Sequence, residues 1–105
     1  MSGKFARYVP LLCGTWTISI EDIQIARIAL NEDGTAVFVR GQGRDVAGSW
    51  NLAESEYDGA GGWPAIVVDG LPLGSDDNRY QLTSFSSQRL TTLNEGQRCE
   101  WQKQH

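Results

Sequence analysis

Apolar and polar positions alternate through much of the chain. Between Thr15 and Ile20 (TWTISI), Trp16, Ile18 and Ile20 share one side of an extended segment, with Thr15, Thr17 and Ser19 on the other. A period of two with β-branched residues predicts a half-buried strand. In Ile23–Leu30 the apolar positions fall at Ile23 and Ile25, then at Ala26, Ile28 and Leu30. That single slip of parity is what a β-bulge produces. Ile25, Ile28 and Ala29 also suit a helix over Glu21–Leu30, but strand is the better reading. Asn31-Glu32-Asp33-Gly34 follows, then a second β-branched run, Thr35–Arg40 (TAVFVR), and Asp-Gly between two such runs signals a hairpin.

The same punctuation continues to the C-terminus. Gly41-Gln42-Gly43-Arg44-Asp45 reads as a loop, and Gly48–Ala53 as a strand with Trp50 and Leu52 on one face. Glu54–Gly62 is a glycine- and acid-rich connection, Trp63–Val68 resumes strand character, and Leu71–Asn78 is rich in turn formers. Arg79–Phe85, Gln88–Leu93 and Gln97–Gln102 complete a meander, with turns at Ser86-Ser87 and Asn94-Glu95-Gly96. Seven or eight short strands at spacings of roughly 8–15 residues predict an all-β sandwich or barrel. No segment carries a strong helical signal, and no linker divides the chain, so residues 1–105 read as one domain.

Two segments share a frame: Gly14-Thr15-Trp16-Thr17-Ile18 and Gly48-Ser49-Trp50-Asn51-Leu52. Glycine permits a tight bend at the strand start, and the tryptophan two residues on then faces inward. With Leu12-Cys13 before the first frame, Leu30–Thr35 at the next hairpin, Tyr80-Gln81-Leu82, Arg89–Leu93 and the closing Cys99-Glu100-Trp101, the order of elements resembles the lipocalin-like (calycin-type) small barrels. That resemblance covers most of the chain and implies a small antiparallel up-and-down β-barrel of seven or eight strands. It implies that Trp16 plugs the closed end, covered by an arginine from a late strand, for which Arg98 is the candidate. Members of the group bind small molecules, inhibit proteases or bind partners, and few are catalysts. At 105 residues the chain is shorter than a typical lipocalin, so short strands would leave a shallow interior.

Composition narrows the partners. Hydrophobic residues make up 40% of the chain and aromatics 10%, which suits a packed globule rather than a disordered segment. No apolar run approaches the ~18 residues of a membrane-spanning helix. The N-terminal Met-Ser-Gly-Lys-Phe-Ala-Arg-Tyr has no following apolar stretch of signal-peptide length, so a cytoplasmic location is expected. Net charge is −4, and the nine Lys and Arg are scattered singly, which disfavours nucleic acid. Cys13 and Cys99 are expected to be reduced in that compartment, although closure of a barrel could bring the first and last strands together and allow a bridge.

Few constellations carry chemistry. The single histidine, His105, is the last residue, and the chain's three Cys and His in all show no Cys-x-x-Cys spacing, which disfavours a zinc site. Glu54, Glu56 and Asp58 alternate and could share a face for a hard cation, but the glycine pattern of a calcium loop is absent. No metal or cofactor is therefore expected. Gly41-Gln42-Gly43-Arg44 fits neither dinucleotide nor phosphate-loop spacing.

Aromatic residues are the strongest functional lead. Trp16, Trp50 and Trp101 fall on strands and read as core, whereas Trp63 stands at a loop–strand junction before Pro64. The expected function is non-catalytic binding of a small apolar or aromatic ligand in a barrel mouth, contacted by Trp63, Tyr57, Phe85 and Arg44. Two other readings stay open. One is a protein-binding inhibitor or immunity-type module acting through the acidic loops Glu54–Asp58 and Asp76-Asp77. The other is a small barrel cyclase or isomerase using one carboxylate. Oligomeric state, a homodimer included, is not set by the sequence.

Overall fold

The computed structural model describes residues 5–39, 43–54, 63–73 and 77–104. Eight antiparallel strands close into a barrel in sequence order: β1 (Gly14–Ile20), β2 (Ile23–Leu30), β3 (Thr35–Phe38), β4 (Val46–Ala53), β5 (Ala65–Asp69), β6 (Arg79–Phe85), β7 (Arg89–Asn94) and β8 (Gln97–Lys103). β8 returns to β1, with Trp16 opposite Lys103 and Ser19 opposite Glu100. The all-β, up-and-down expectation therefore holds, with the strand count at eight.

Local chemistry explains the corners. Asp33 accepts hydrogen bonds from both the backbone N–H and the hydroxyl of Thr35 (2.9 and 2.6 Å), which fixes the β2–β3 turn and holds its carboxyl below the usual pKa. Glu21 and Asp22 (φ 51° and 67°) and Glu95 and Gly96 (φ 51° and 78°) form two-residue turns with both φ positive, the geometry whose twist matches antiparallel strands. In β2 the register passes from Ile18 opposite Ala26 to Ser19 opposite Gln24, leaving Ile25 as the extra residue. This bulge lies where the parity slips in sequence, and it leaves Ile25 40% exposed.

One helical feature was not expected from the pattern. A 3-10 turn (Ala6–Tyr8) leads into a single helical turn, α1 (Val9–Leu12), which begins with Val9-Pro10. Proline in the first turn loses no hydrogen bond, but one turn is too short to leave a periodic signature. Val9 and Leu12 are buried, so this segment caps the barrel.

The barrel is filled along its axis. Trp16 and Trp101 meet edge to face at 6.4 Å, and Trp101 and Tyr80 at 5.7 Å. Ile18, Ile28, Leu30, Ile66, Leu82 and Leu90 pack around them, each 0–1% exposed. By area, each such aromatic contributes about 4–6 kcal/mol as an upper bound. Buried polar groups are matched: Trp101 Nε1 donates to Thr92 Oγ1 (3.0 Å), and Trp16 Nε1 donates to the Leu12 carbonyl (2.8 Å).

Candidate functional site

An up-and-down barrel sends alternate connections to opposite ends. The β2–β3, β4–β5 and β6–β7 connections, α1 and the C-terminus gather at one end; the β1–β2, β3–β4, β5–β6 and β7–β8 connections gather at the other. The first end is closed. Leu12 lies over Trp16, and Lys103 Nζ reaches the Leu11 carbonyl (3.3 Å) while standing 5.3 Å from the Trp16 ring centre. Lys103, not Arg98, thus covers the plug; Arg98 pairs with exposed Glu100 (3.8 Å) on the barrel exterior. The two Gly-x-Trp frames act alike here. Trp50 Nε1 donates to the Asn31 carbonyl (2.8 Å), as Trp16 does to Leu12.

The second end is the mouth. A cavity of about 210 Å3 opens there, lined by Ile20, Ile25, Leu73, Tyr80, Asn94, Glu95, Gln97 and Cys99. Ile20 and Ile25 flank the β1–β2 turn, and Leu73 lies on the β5–β6 connection. Tyr80, Asn94 and Cys99 point inward from β6, β7 and β8 and form its floor; the register Gln81 to Leu93 sets Tyr80 opposite Asn94. A larger and more open concavity of about 490 Å3, lined by Gln24, Ile25, Ala26, Arg27, Phe38, Val39 and Pro72, lies beside it, with Ile25 lining both.

Two floor residues hold unused hydrogen-bonding capacity. Asn94 Nδ2 spends its protons on the Asp77 and Arg79 carbonyls (2.9 and 2.7 Å), which pins the β5–β6 connection and leaves Oδ1 without a partner among the described residues. The Tyr80 hydroxyl likewise makes no hydrogen bond among the described residues. No fully enclosed side-chain polar atom among them lacks a partner, so both groups keep some access to solvent, and both residues line the cavity. Burial raises the Tyr80 pKa to about 12, with smaller contributions from Cys99, Asp77 and Glu95, so the phenol stays neutral and donates. The Cys99 thiol is also raised by burial, against an opposing hydrogen bond with Thr92, and is no thiolate nucleophile at neutral pH.

Comparison with family models, curated proteins and solved structures finds no match. The site must be read from its own chemistry.

The residues expected from sequence do not converge. Trp63 precedes β5 at the closed end, where its ring lies 6.1 Å from Tyr8 at a tilt of 52°. Phe85 ends β6 at that same end, half-buried against the core. Neither lines the mouth cavity. Arg44 lies at the mouth end, exposed just before β4, and is not among the cavity-lining residues. Tyr57 lies outside the described residues, as do Glu56, Asp58, Asp76, Gly41, Gln42 and His105. Among the described residues no three His, Cys, Asp or Glu side chains come together as a metal site. Also among them, no helix is long and apolar enough to cross a membrane.

Cys13 and Cys99 are free and stand at opposite ends of the β1–β8 pair. Barrel closure aligns the two strands but not these two residues, so the bridge allowed for in the sequence does not form.

Sequence reading passed over Tyr80 and Asn94. Tyr80-Gln81-Leu82 and Asn94-Glu95-Gly96 were visible as a strand and a turn, but only strand register shows that Tyr80 and Asn94 face each other.

Proposed function

We propose that this chain is a lipocalin-like binding barrel whose mouth takes a small apolar or aromatic molecule. The up-and-down order of eight strands, the Gly14-x-Trp16 frame beneath an N-terminal helical cap and the cation of Lys103 over Trp16 support the family reading. The observation that carries the binding reading is the mouth cavity: apolar walls from Ile20, Ile25 and Leu73 above a floor holding the hydroxyl of Tyr80, which has no hydrogen-bond partner among the described residues. Apolar walls with a few convergent polar groups are the usual make-up of a small-molecule site. A ligand there occupies the mouth only, because Trp101 and Trp16 fill the barrel beneath it. The two thiols, held too far apart to pair, suit a reducing compartment such as the cytoplasm.

The cavity sets the ligand's size. A cavity of about 150 Å3 holds benzene, so this mouth suits one substituted ring. Seven to nine heavy atoms at roughly 0.6 kcal/mol each correspond to a Kd of about 0.1–1 mM. Toluene titrated against intrinsic fluorescence tests this, since Trp101 lies directly beneath Tyr80. A saturable change that disappears in Trp101→Phe places the ligand over that ring. The absence of any change in a folded protein would count against a binding mouth.

A further inference from the structure

We infer that the mouth selects a neutral ring carrying a hydrogen-bond acceptor beside an N–H donor, an amide or a lactam, and rejects carboxylates. This rests on the reading of the mouth as a binding site and adds the chemistry of its ligand. Tyr80 is 2% exposed and Asn94 6%; the β6–β7 register sets them at opposed positions, and both line the cavity. Tyr80 supplies a phenolic O–H. Asn94 supplies a carbonyl oxygen, and its orientation is fixed because both amide protons are engaged by the carbonyls of Asp77 and Arg79.

A donor and an acceptor lining one cavity match a ligand with the reverse pair. An amide C=O accepts from Tyr80, and its N–H donates to Asn94 Oδ1. A site built this way discriminates against analogues lacking one of the groups, because its own polar atom is then covered and left unpaired.

Charge supplies the second half of the argument. None of the residues lining the cavity is basic, and Glu95 stands at its rim. A carboxylate entering the mouth would lose water without gaining a cation and would leave its charge near Glu95. The same ring bearing a carboxamide carries no such penalty. Apolar contact with Ile20, Ile25 and Leu73 is common to both, so the difference between them reports the floor and not the walls.

Three probes of nearly one shape test the inference by calorimetry or fluorescence: benzamide, benzoate and toluene, each with the full chain and with Tyr80→Phe. Benzamide is expected to bind the wild type at least about tenfold more tightly than benzoate at pH 7. Loss of one neutral hydrogen bond should make Tyr80→Phe about 3- to 10-fold weaker for benzamide while leaving toluene within twofold. Comparison of the three probes on the unaltered protein does not depend on the variant's folding.

Equal binding of benzoate and benzamide, or a Tyr80→Phe variant that weakens toluene and benzamide alike, would overturn the donor–acceptor assignment while the mouth remains a binding site. Failure of all three probes, toluene included, would overturn both.

Discussion

Gly14 is a residue at which a single added methyl group meets both the backbone and the cover of the plug. Its φ is +131°, a region closed to residues with a Cβ, and a Cβ built there stands 2.8 Å from Lys103 Cε. Gly14→Ala therefore meets two costs. Backbone strain of this kind amounts to about 1–3 kcal/mol. Displacing Lys103 also weakens its contact with the Trp16 ring and its bond to the Leu11 carbonyl, about 1 kcal/mol more at a partly exposed site. The sum is about 2–4 kcal/mol, a large share of the stability of a domain this size. Urea denaturation followed by tryptophan fluorescence measures it, with thermal melting as a second probe. Lys103→Ala alone should cost about 1 kcal/mol, and the double variant should fall short of the sum by a similar amount, because the clash and the lost contact are the same event. A Gly14→Ala protein within about 0.5 kcal/mol of the wild type would refute both the backbone argument and the placement of Lys103 over the plug.

Thr92→Val keeps the shape of the side chain but leaves the buried Trp101 Nε1–H without its acceptor, and urea unfolding should show a loss of about 1–3 kcal/mol. Burial holds the Tyr80 phenol neutral to about 12 against an ordinary value of 10.0. A raised acid pKa means that this contribution to stability is complete below pH 10 and is lost as pH rises toward 12. Unfolding free energies measured from pH 9 to 12 should fall more steeply for the wild type than for Tyr80→Phe; equal slopes would contradict the burial. Half-buried Cys13 should react with a maleimide before buried Cys99, which mass spectrometry of the labelled native protein can order, and both should react in urea.

The fold was legible where physics is local. The slip of parity between Ile25 and Ala26 marked the bulge, Asp33-Gly34 marked a turn, and alternation in Thr15–Ile20 set Trp16 and Ile18 inward. The N-terminal cap was not legible, since Ala6–Leu12 makes two single turns whose stability comes from docking on Trp16 and not from its own periodicity.

The site was read less well, for a topological reason. Trp63 and Phe85 have the composition of a binding rim, but alternate connections of a meander go to opposite ends. Nothing local to the β4–β5 connection says that its end is the one α1 covers. The cation over Trp16 was missed in the same way: Lys103 reaches it through the β8–β1 register, whereas Arg98 lies five residues earlier on the outer face. Tyr80 and Asn94 carry ordinary sequence signals and acquire their role only from facing each other.

The most direct test of the account is a map of backbone amide chemical shifts during titration with benzamide. Binding at the mouth predicts saturable shifts concentrated at Ile20, Leu73, Tyr80, Asn94 and Gln97, with Trp63, Phe85 and the α1 residues unmoved. Shifts centred on Trp63 and Phe85 at the closed end, with Tyr80 and Asn94 unchanged, would contradict it.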